Sequence, residues 1–291
     1  MTDVSPVPGG LSASGNAQAA PQVSGAKHIA SRLMAESLMN RSVLQKTDAQ
    51  PMMQLLPDTS VIKIGGQSIM DRGRTALLPV VDELGQNLAD HKMIISVGEG
   101  TRARHAYDIA TDLGLPTGVL SVMGDVISNQ NALIVTTIMM RYGAVRVPED
   151  HFDMFPIFLN SGCPIVICGM APYRWWEQPP EVGRVPEHRS DAGTYLTSEV
   201  FGCRSVIFVK DVDGLYTEDP KTSPNAEFIP RINVRDLLAH ELQDLPIEPS
   251  VLQMMLRARH MKEIRIINGL VPGNITRALN GEPVGTSIYV D

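Results

Sequence analysis

The chain has 291 residues, 43% of them hydrophobic, so it is long enough to bury a full core as one large domain. Its 25 basic and 32 acidic residues give a net charge of −7, which provides no general attraction for nucleic acid or an anionic membrane. We therefore expect neither as a partner, and any anion site must be built locally. The apolar runs are too short to cross a bilayer and the N-terminus lacks a secretory signal pattern, which predicts a cytoplasmic protein.

The N-terminal part of the chain divides into two segments. Residues 1–25 are almost entirely small residues, prolines and glycines, which predicts a disordered N-terminal arm. Within residues 26–57, Ile29, Leu33 and Leu38 recur near helical spacing, which predicts a helical N-terminal extension. This helix would pack either on its own core or on a neighbouring subunit.

From residue 58 to residue 291, short β-branched runs alternate with longer helical patterns. The runs that predict strands are SVIKI, KMIISV, IVICG, SVIFV, IRIIN and TSIYV. Such alternation is typical of a mainly parallel sheet covered by helices on both faces. The sequence therefore predicts one α/β domain over 58–291, a three-layer αβα sandwich, with ligands at the carboxyl ends of its strands.

The first strand end, in VIKIGGQSIMDRG, places Lys63 in the strand and Gly65 and Gly66 directly after it. Glycine lets the backbone approach an anion, and the following helix offers unpaired N–H groups. It is not a Walker loop, because the lysine precedes the glycines and no GK[ST] follows. Taken alone, a Gly-Gly pair favours a bare strand-to-helix turn over an anion site.

The second strand end, SVGEGTRARH, has Gly98 and Gly100 on either side of Glu99, with Arg102 and Arg104 on the next helix. Two glycine-rich turns at neighbouring parallel strand ends favour an anion pocket more than either turn alone. Glu99 opposes that interpretation unless it faces a metal ion or is protonated beside the anion. The arginines could equally form a solvated helix face.

The third strand end, FVKDVDGLYTEDP, has Lys210 at the end of a buried strand and an acidic loop after it. A lysine there can meet phosphate oxygens, and Asp213 or Asp219 can hold water or Mg²⁺. Taken alone, the Asp-Gly and Asp-Pro pairs favour an ordinary surface turn.

Together with MGDVISNQNAL at 123–133 and the tail NGLVPGNITRALNGEPVGTSI, these segments resemble the amino-acid-kinase superfamily and its uridylate-kinase branch. In a narrower sense, IKIGGQSIMDRG, TRARH, GMAPY, HRSDAG and ARHMKEIRIINGLVPGNITRAL, in this order, are similar to subunits of the molybdenum storage protein family. Trp175 and Trp176 stand where one subunit type of that family carries histidines, so the resemblance is to the other, ATP-binding type. It covers the chain from about Asp58 to Asp291.

This resemblance implies ligands and site residues. The cofactors it implies are ATP, Mg²⁺ and, as the stored polyoxometalate, molybdate or tungstate, with Lys63 and Glu99 as the catalytic residues. The residues implied to bind ATP are Lys63, Gly65, Gly66, Gly98, Gly100, Thr101, Lys210, Asp213, Gly214, Tyr216, Asp219 and Pro220. Imidazoles can ligate or hydrogen-bond an oxometalate, which makes His105, His151 and His188 candidate contacts, although each could be an ordinary satisfied histidine.

The resemblance implies ATP-dependent storage of molybdate or tungstate as polyoxometalate clusters, in a hexameric cage of homologous subunits. Two alternatives remain: a kinase that phosphorylates a nucleotide or a small acid, and a non-catalytic ATP-binding scaffold. The uridylate-kinase branch uses an aspartate for its acceptor where this chain has Ser121, and it has a small residue where this chain has Glu99. The sequence therefore favours ATP hydrolysis coupled to storage over phosphoryl transfer to an organic acceptor.

Overall fold

The computed structural model describes residues 53–180, 184–220, 222–240, 242 and 244–291. The predicted disordered arm, residues 1–25, and the predicted extension up to residue 52 lie outside the described residues. Residues 53–57 are irregular, and the N–H groups of Leu55 and Leu56 donate to the carbonyl of Phe201 at 2.9 Å each. The helical extension stays a prediction.

Strands and helices alternate along the described chain as the sequence predicts. The strands are β1 (Thr59–Ile64), β2 (Lys92–Val97), β3 (Val145–Arg146), β4 (Ile165–Cys168), β5 (Ser205–Lys210), β6 (Leu215–Tyr216), β7 (Phe228–Ile229), β8 (Arg231–Asn233), β9 (Glu263–Asn268) and β10 (Thr286–Tyr289). The α-helices are α1 (Arg74–Gln86), α2 (Thr101–Asp112), α3 (Thr117–Met139), α4 (Phe155–Asn160), α5 (Ser190–Phe201), α6 (Val234–Ala239), α7 (Pro249–Met255) and α8 (Asn274–Leu279). Short 3₁₀ helices cover Met70–Arg72, Met140–Tyr142, Glu149–Met154 and Arg174–Trp176.

Eight of the described strands form one sheet in the order β3-β4-β2-β1-β5-β9-β10-β8. Neighbouring strands are parallel throughout, except that β10 runs antiparallel to β9. The remaining two, β6 and β7, form a separate antiparallel ribbon. The prediction of a mainly parallel α/β sheet is confirmed.

The two faces of the sheet bury two different hydrophobic clusters. Along β1, Val61 belongs to one cluster and Ile62 and Ile64 to the other, because successive side chains of a strand point to opposite faces. The Val61 cluster packs against α4, α5, α6 and α7, and the Ile62 cluster packs against α1, α3 and α8. The three-layer αβα arrangement is thus also confirmed.

The same alternation places two lysines on one face. Lys63 follows Val61 by two residues on β1, and Lys210 follows Phe208 by two residues on the neighbouring parallel strand β5. Both lysines therefore point to the face covered by α5 and lie at the carboxyl ends of their strands.

Among the described residues, no helix combines the length and apolar character that crossing a bilayer takes. The cytoplasmic location inferred from the sequence stays a prediction.

Candidate functional site

The two glycine-rich loops, residues 65–69 and 98–100, pack against each other backbone to backbone. A Cβ atom on Gly66 would lie 2.2 Å from the backbone nitrogen of Gly100, and one on Gly98 would lie 2.7 Å from that of Gly66. A side chain at either position would push the loops apart. The side-chain amide of Asn131, on α3, donates to the carbonyl of Gly98 at 2.6 Å and holds the second loop in place.

The first loop presents unused hydrogen-bond donors. The backbone N–H groups of Gly66, Gln67 and Ser68 have no partner among the described residues, whereas the loop closes through N–H bonds from Met70 to Gly65 and from Asp71 to Gly66. Gly66, Gln67 and Ser68 all line one cleft. Successive free N–H groups on a turn can bind the oxygens of an anion.

The start of α2 is already bound by a carboxylate of the protein, that of Asp71. Asp71 Oδ2 accepts the backbone N–H of Thr101 at 2.6 Å, and Gly100 has a positive φ of 74° that brings the helix start up to this carboxylate. Thr101 is exposed and does not line the cleft. The backbone N–H of Thr101, a residue predicted to bind ATP, is therefore already paired with Asp71.

The lysines of β1 and β5 share one carboxylate. Lys63 Nζ lies 3.0 Å from Asp191 Oδ1, and Lys210 Nζ lies 2.9 Å from Asp191 Oδ2. Burial alone would raise the pKa of Asp191, but Lys210 and Lys63 outweigh it and hold that pKa well below its usual range. Two lysine ammonium groups share one carboxylate, so this trio carries a net positive charge that can attract an anion.

The three predicted segments meet at a single cleft of about 960 Å³. Of the residues predicted to bind ATP or to act in catalysis, those that line it are Lys63, Gly66, Glu99, Gly100, Lys210, Gly214, Tyr216, Asp219 and Pro220. Gly65 and Gly98 do not line the cleft. Their N–H groups donate to the backbone carbonyls of Val209 and Ile64, respectively, at 3.0 Å each. Asp213 also lies outside the wall and accepts from the side chain of Asn268 at 2.8 Å.

Glu99 differs from the other acidic residues of the cleft. It is 9% exposed, and within the described part of the chain its carboxylate has no hydrogen-bond or ion-pair partner. A buried carboxylate is costly unless it is paired. Because it lines the cleft, its missing partner fits a cation brought in with a ligand.

The three predicted histidines are not brought into the cleft. His105 and His151 are exposed, and His188 Nδ1 pairs with Glu177 Oε1 at 2.8 Å, which raises the pKa of His188. None of the three lines the cleft wall. Among the described residues, the acidic and sulfur ligands close enough to share a metal ion are Asp125, Glu149 and Cys168, and Arg174 pairs with both carboxylates.

Sequence reasoning missed several cleft residues. Tyr107, Arg189 and Glu248 line the cleft beside Asp191 and carry polar groups. Glu248 precedes Pro249, a pattern typical of a helix start. That pattern does not predict that Glu248 contacts the start of α5, where Asp191 lies 57 residues earlier in the chain. Ser121, by contrast, is fully buried on α3 and does not line the cleft.

The chain is similar to several known proteins. The model of the Amino acid kinase family matches residues 165–268. The chain is 46% identical over 256 residues to the molybdenum storage protein subunit beta of Azotobacter vinelandii, a match covering 88% of this chain and 95% of that protein. It is 29% identical over 244 residues to a uridylate kinase of Thermofilum pendens, covering 79% and 97%.

A solved structure shows the same fold. The crystal structure of uridylate kinase from Archaeoglobus fulgidus superposes with a TM-score of 0.62 at 24% identity and covers 79% of this chain and 99% of that one. At this identity the likeness establishes the fold alone.

Proposed function

The chain belongs to the molybdenum storage protein family, and on that premise we propose that it uses ATP to store molybdate or tungstate as polyoxometalate clusters in an oligomeric cage. The observation that carries the proposal is the pair of lysines, Lys63 and Lys210, held by Asp191 beside the free N–H groups of the first glycine loop. An anion that carries several oxygens meets both kinds of donor there.

The cleft suits the triphosphate of ATP. The two lysine ammonium groups would stabilise negative charge that develops on the phosphoryl oxygens, and the N–H groups of Gly66, Gln67 and Ser68 would fix the oxygens in place. The nucleoside would lie against the loop after β5, where Gly214, Tyr216 and Pro220 line the same cleft. Asp213 does not line the cleft, so it would support this loop indirectly, through its hydrogen bond from Asn268.

Glu99 fits the Mg²⁺ that accompanies ATP. Its buried carboxylate accepts no hydrogen bond within the described residues and lines the cleft together with Arg189, whose pKa it helps to raise, so a divalent cation would be its direct partner. When bound, Mg²⁺ would neutralise part of the charge on the phosphates. Glu99 thereby acts on hydrolysis through the cation.

Molybdate and tungstate are tetrahedral dianions of oxygen, and backbone N–H, arginine and histidine groups can bind them without a basic surface. His105, His151 and His188 stay proposed contacts of the stored metal oxide. Because they lie outside the cleft, the storage site would be separate from the site of ATP hydrolysis.

Assembly follows from the same premise. The Azotobacter vinelandii relative is described as a subunit, which supports the proposal that this chain joins homologous subunits in a hexamer. Large apolar side chains on α3, namely Val126, Leu133 and Ile134, are 51%, 54% and 43% exposed in the single chain. Exposed apolar residues at helical spacing are typical of a helix that packs on another subunit.

The experiment that tests the proposal measures products of Mg-ATP turnover in the presence of molybdate, of UMP, or of neither. We expect ADP and free phosphate, increased by molybdate, and no phosphorylated UMP. Stoichiometric transfer of phosphate to UMP would instead establish the kinase alternative, whose support is the 29% identity to a uridylate kinase over 79% of the chain. Tight ATP binding without turnover under any condition would establish the scaffold alternative.

A further inference from the structure

Glu248 occupies a defined position at the start of α7. It is the N-cap residue of that helix, with φ −66° and ψ 130°, and Pro249 takes the first helical position, where its fixed φ is favourable. Its side chain does not cap its own helix. The carboxylate instead crosses to the start of α5, which contacts α7.

The carboxylate of Glu248 supplies the cap that α5 lacks. Arg189 is the N-cap residue of α5, and its side chain makes no capping bond. Glu248 Oε2 accepts the backbone N–H groups of Arg189 and Ala192 at 3.0 Å each, and Glu248 Oε1 accepts that of Asp191 at 3.1 Å. A helix N-terminus presents unpaired N–H groups and positive dipole charge, so a carboxylate is a matched partner.

Asp191 is therefore held at two points. Its backbone N–H bonds to Glu248, and its side chain bonds to Lys63 and Lys210. Any rotation or shift of the first turn of α5 would move the Asp191 oxygens away from one lysine or the other. The cap thus controls the distance between a helix start and two strand ends that come from distant parts of the sequence.

The surroundings of Glu248 make its charge sensitive to pH. Burial, with help from Asp191 and Glu99, raises the pKa of Glu248 to about 7, while Arg189 and Lys63 act in the opposite direction. Charged or titratable groups from several elements interact with the Glu248 carboxylate. They are Lys63 on β1, Glu99 in the second glycine loop, Tyr107 on α2, Tyr173, His188, the α5 N-cap residue Arg189, and Asp191 on α5.

We propose that Glu248 is a positioning residue: its carboxylate holds the first turn of α5 so that Asp191 lies between the Nζ atoms of Lys63 and Lys210. The inference rests on the proposed function, because it assigns the lysine pair to phosphate. When Glu248 is ionised, both of its oxygens accept N–H bonds and the lysines are held apart at fixed positions. When it is protonated, the negative charge facing the helix start is gone, the N–H bonds weaken and the pair loosens.

The test compares Glu248→Gln with Glu187→Gln in the full-length protein. Glutamine at 248 keeps the shape but turns an NH₂ group toward backbone N–H groups, which cannot accept from it. Glu187 is exposed and near α5, so Glu187→Gln repeats the chemical change without touching the cap. We expect Glu248→Gln to lower kcat for ATP hydrolysis roughly tenfold with little change in KM. Glu187→Gln should leave both unchanged.

A second measurement reports on the lysines without any turnover. The chain has only seven lysines, so isotope labels on the lysine ε-carbons give few NMR signals, and Lys63→Met and Lys210→Met variants assign the two that matter. In the unaltered protein and in Glu187→Gln, both signals should move with a midpoint near the pKa of Glu248, far below that of lysine itself. In Glu248→Gln this step should be absent.

The outcomes separate this inference from the proposed function. If the Lys63 and Lys210 signals of Glu248→Gln coincide with those of the unaltered protein at every pH, the positioning role is wrong even where ATP is hydrolysed. If the step is present and depends on Glu248 but no ATP is hydrolysed at any pH, the positioning role stands and the storage proposal fails. A kcat in Glu248→Gln equal to that of the unaltered protein would also overturn the inference.

Discussion

Asp191 connects the two cleft lysines, because each of its two oxygens pairs with one of them. Asp191→Asn would leave Lys63 and Lys210, which are 1% and 14% exposed, without a counter-charge. Removing one partner of a buried ion pair costs about 3–5 kcal/mol. We expect the variant to lose about that much free energy of unfolding at pH 7, measured by urea denaturation.

The pH dependence of this loss has a definite sign. The lysines hold the pKa of Asp191 below its unfolded value, so its stabilising contribution is fully present above that unfolded value, about 3.9, and falls as the pH drops further toward the folded pKa. Because Asp191 also helps to raise the pKa of Glu248, which is about 7, the comparison is made below about pH 5. The difference between the unaltered protein and Asp191→Asn should thus shrink as the pH falls below about 4. An equal difference at about pH 5 and about pH 3 would contradict this role of Asp191.

Lys63 gives a test of catalysis that is separate from stability. Lys63→Met keeps the length of the side chain but removes the ammonium group, and we expect kcat for ATP hydrolysis to fall about 100-fold or more. Lys92→Met is the matched control, because Lys92 begins the neighbouring strand β2 at the opposite end and pairs with Asp58 at 2.7 Å. Normal turnover in Lys63→Met, or equal loss in Lys92→Met, would remove Lys63 from the mechanism.

The sequence predicted the position of a site residue where the local strand pattern determines it. Lys63 and Lys210 each stand at the end of an apolar run, and strand alternation is enough to place both at one sheet edge. Asp191 and Glu248 could not be placed in the same way, since their contacts join residues 128 and 57 positions apart in the chain. Likewise, the presence of a histidine in the sequence does not say whether it lies in the cleft, and His105 and His151 are exposed outside it.

Among the elements, the packing of the two glycine loops makes a further prediction. Gly66→Ala would place a Cβ atom 2.2 Å from the backbone nitrogen of Gly100, so the loops must separate. We expect a loss of about 1–3 kcal/mol in unfolding free energy, together with loss of ATP turnover, because the free N–H groups of the first loop would move.

Gly143→Ala is the control for this substitution. Gly143 has a φ of 77° and open space around its Cβ position, so alanine there is strained by about 1–2 kcal/mol without touching the cleft. Turnover in Gly143→Ala should match the unaltered protein. If Gly66→Ala also keeps full turnover, the first glycine loop does not hold the phosphates.

The major strands and helices were predictable because each is long enough to show its period. The patterns predicted β1, β2, β4, β5, β9 and β10, together with helices between several of them. The short strands β3, β6 and β7 have two residues each, which is too few for any alternation. The two glycine loops pack closely because of the register between β1 and β2, and the presence of glycines in the sequence does not predict that register.

For the whole molecule, we predict that the chain self-associates or joins a homologous subunit through the exposed side of α3. Leu133 is 54% exposed on this helix, and Leu133→Glu would place a charge in the interface. In solution, the unaltered protein should have a mass several times 31.7 kDa, and the variant a smaller one, by light scattering after gel filtration.

Leu113→Glu serves as the control for assembly. Leu113 is 67% exposed and lies directly after α2, not on α3. It should keep the mass of the unaltered protein. A monomeric unaltered protein would contradict the cage, and an unchanged mass in Leu133→Glu would place the interface elsewhere.

The central claim is that ATP turnover in the cleft drives storage of metal oxide, and elemental analysis tests it most directly. The purified protein and the Lys63→Met variant would be incubated with molybdate, each with and without Mg-ATP, and passed through gel filtration before molybdenum is measured. We predict that many molybdenum atoms per subunit travel with the large oligomer only for the unaltered protein with Mg-ATP. No retained molybdenum, or equal retention without ATP or with Lys63→Met, would contradict the account.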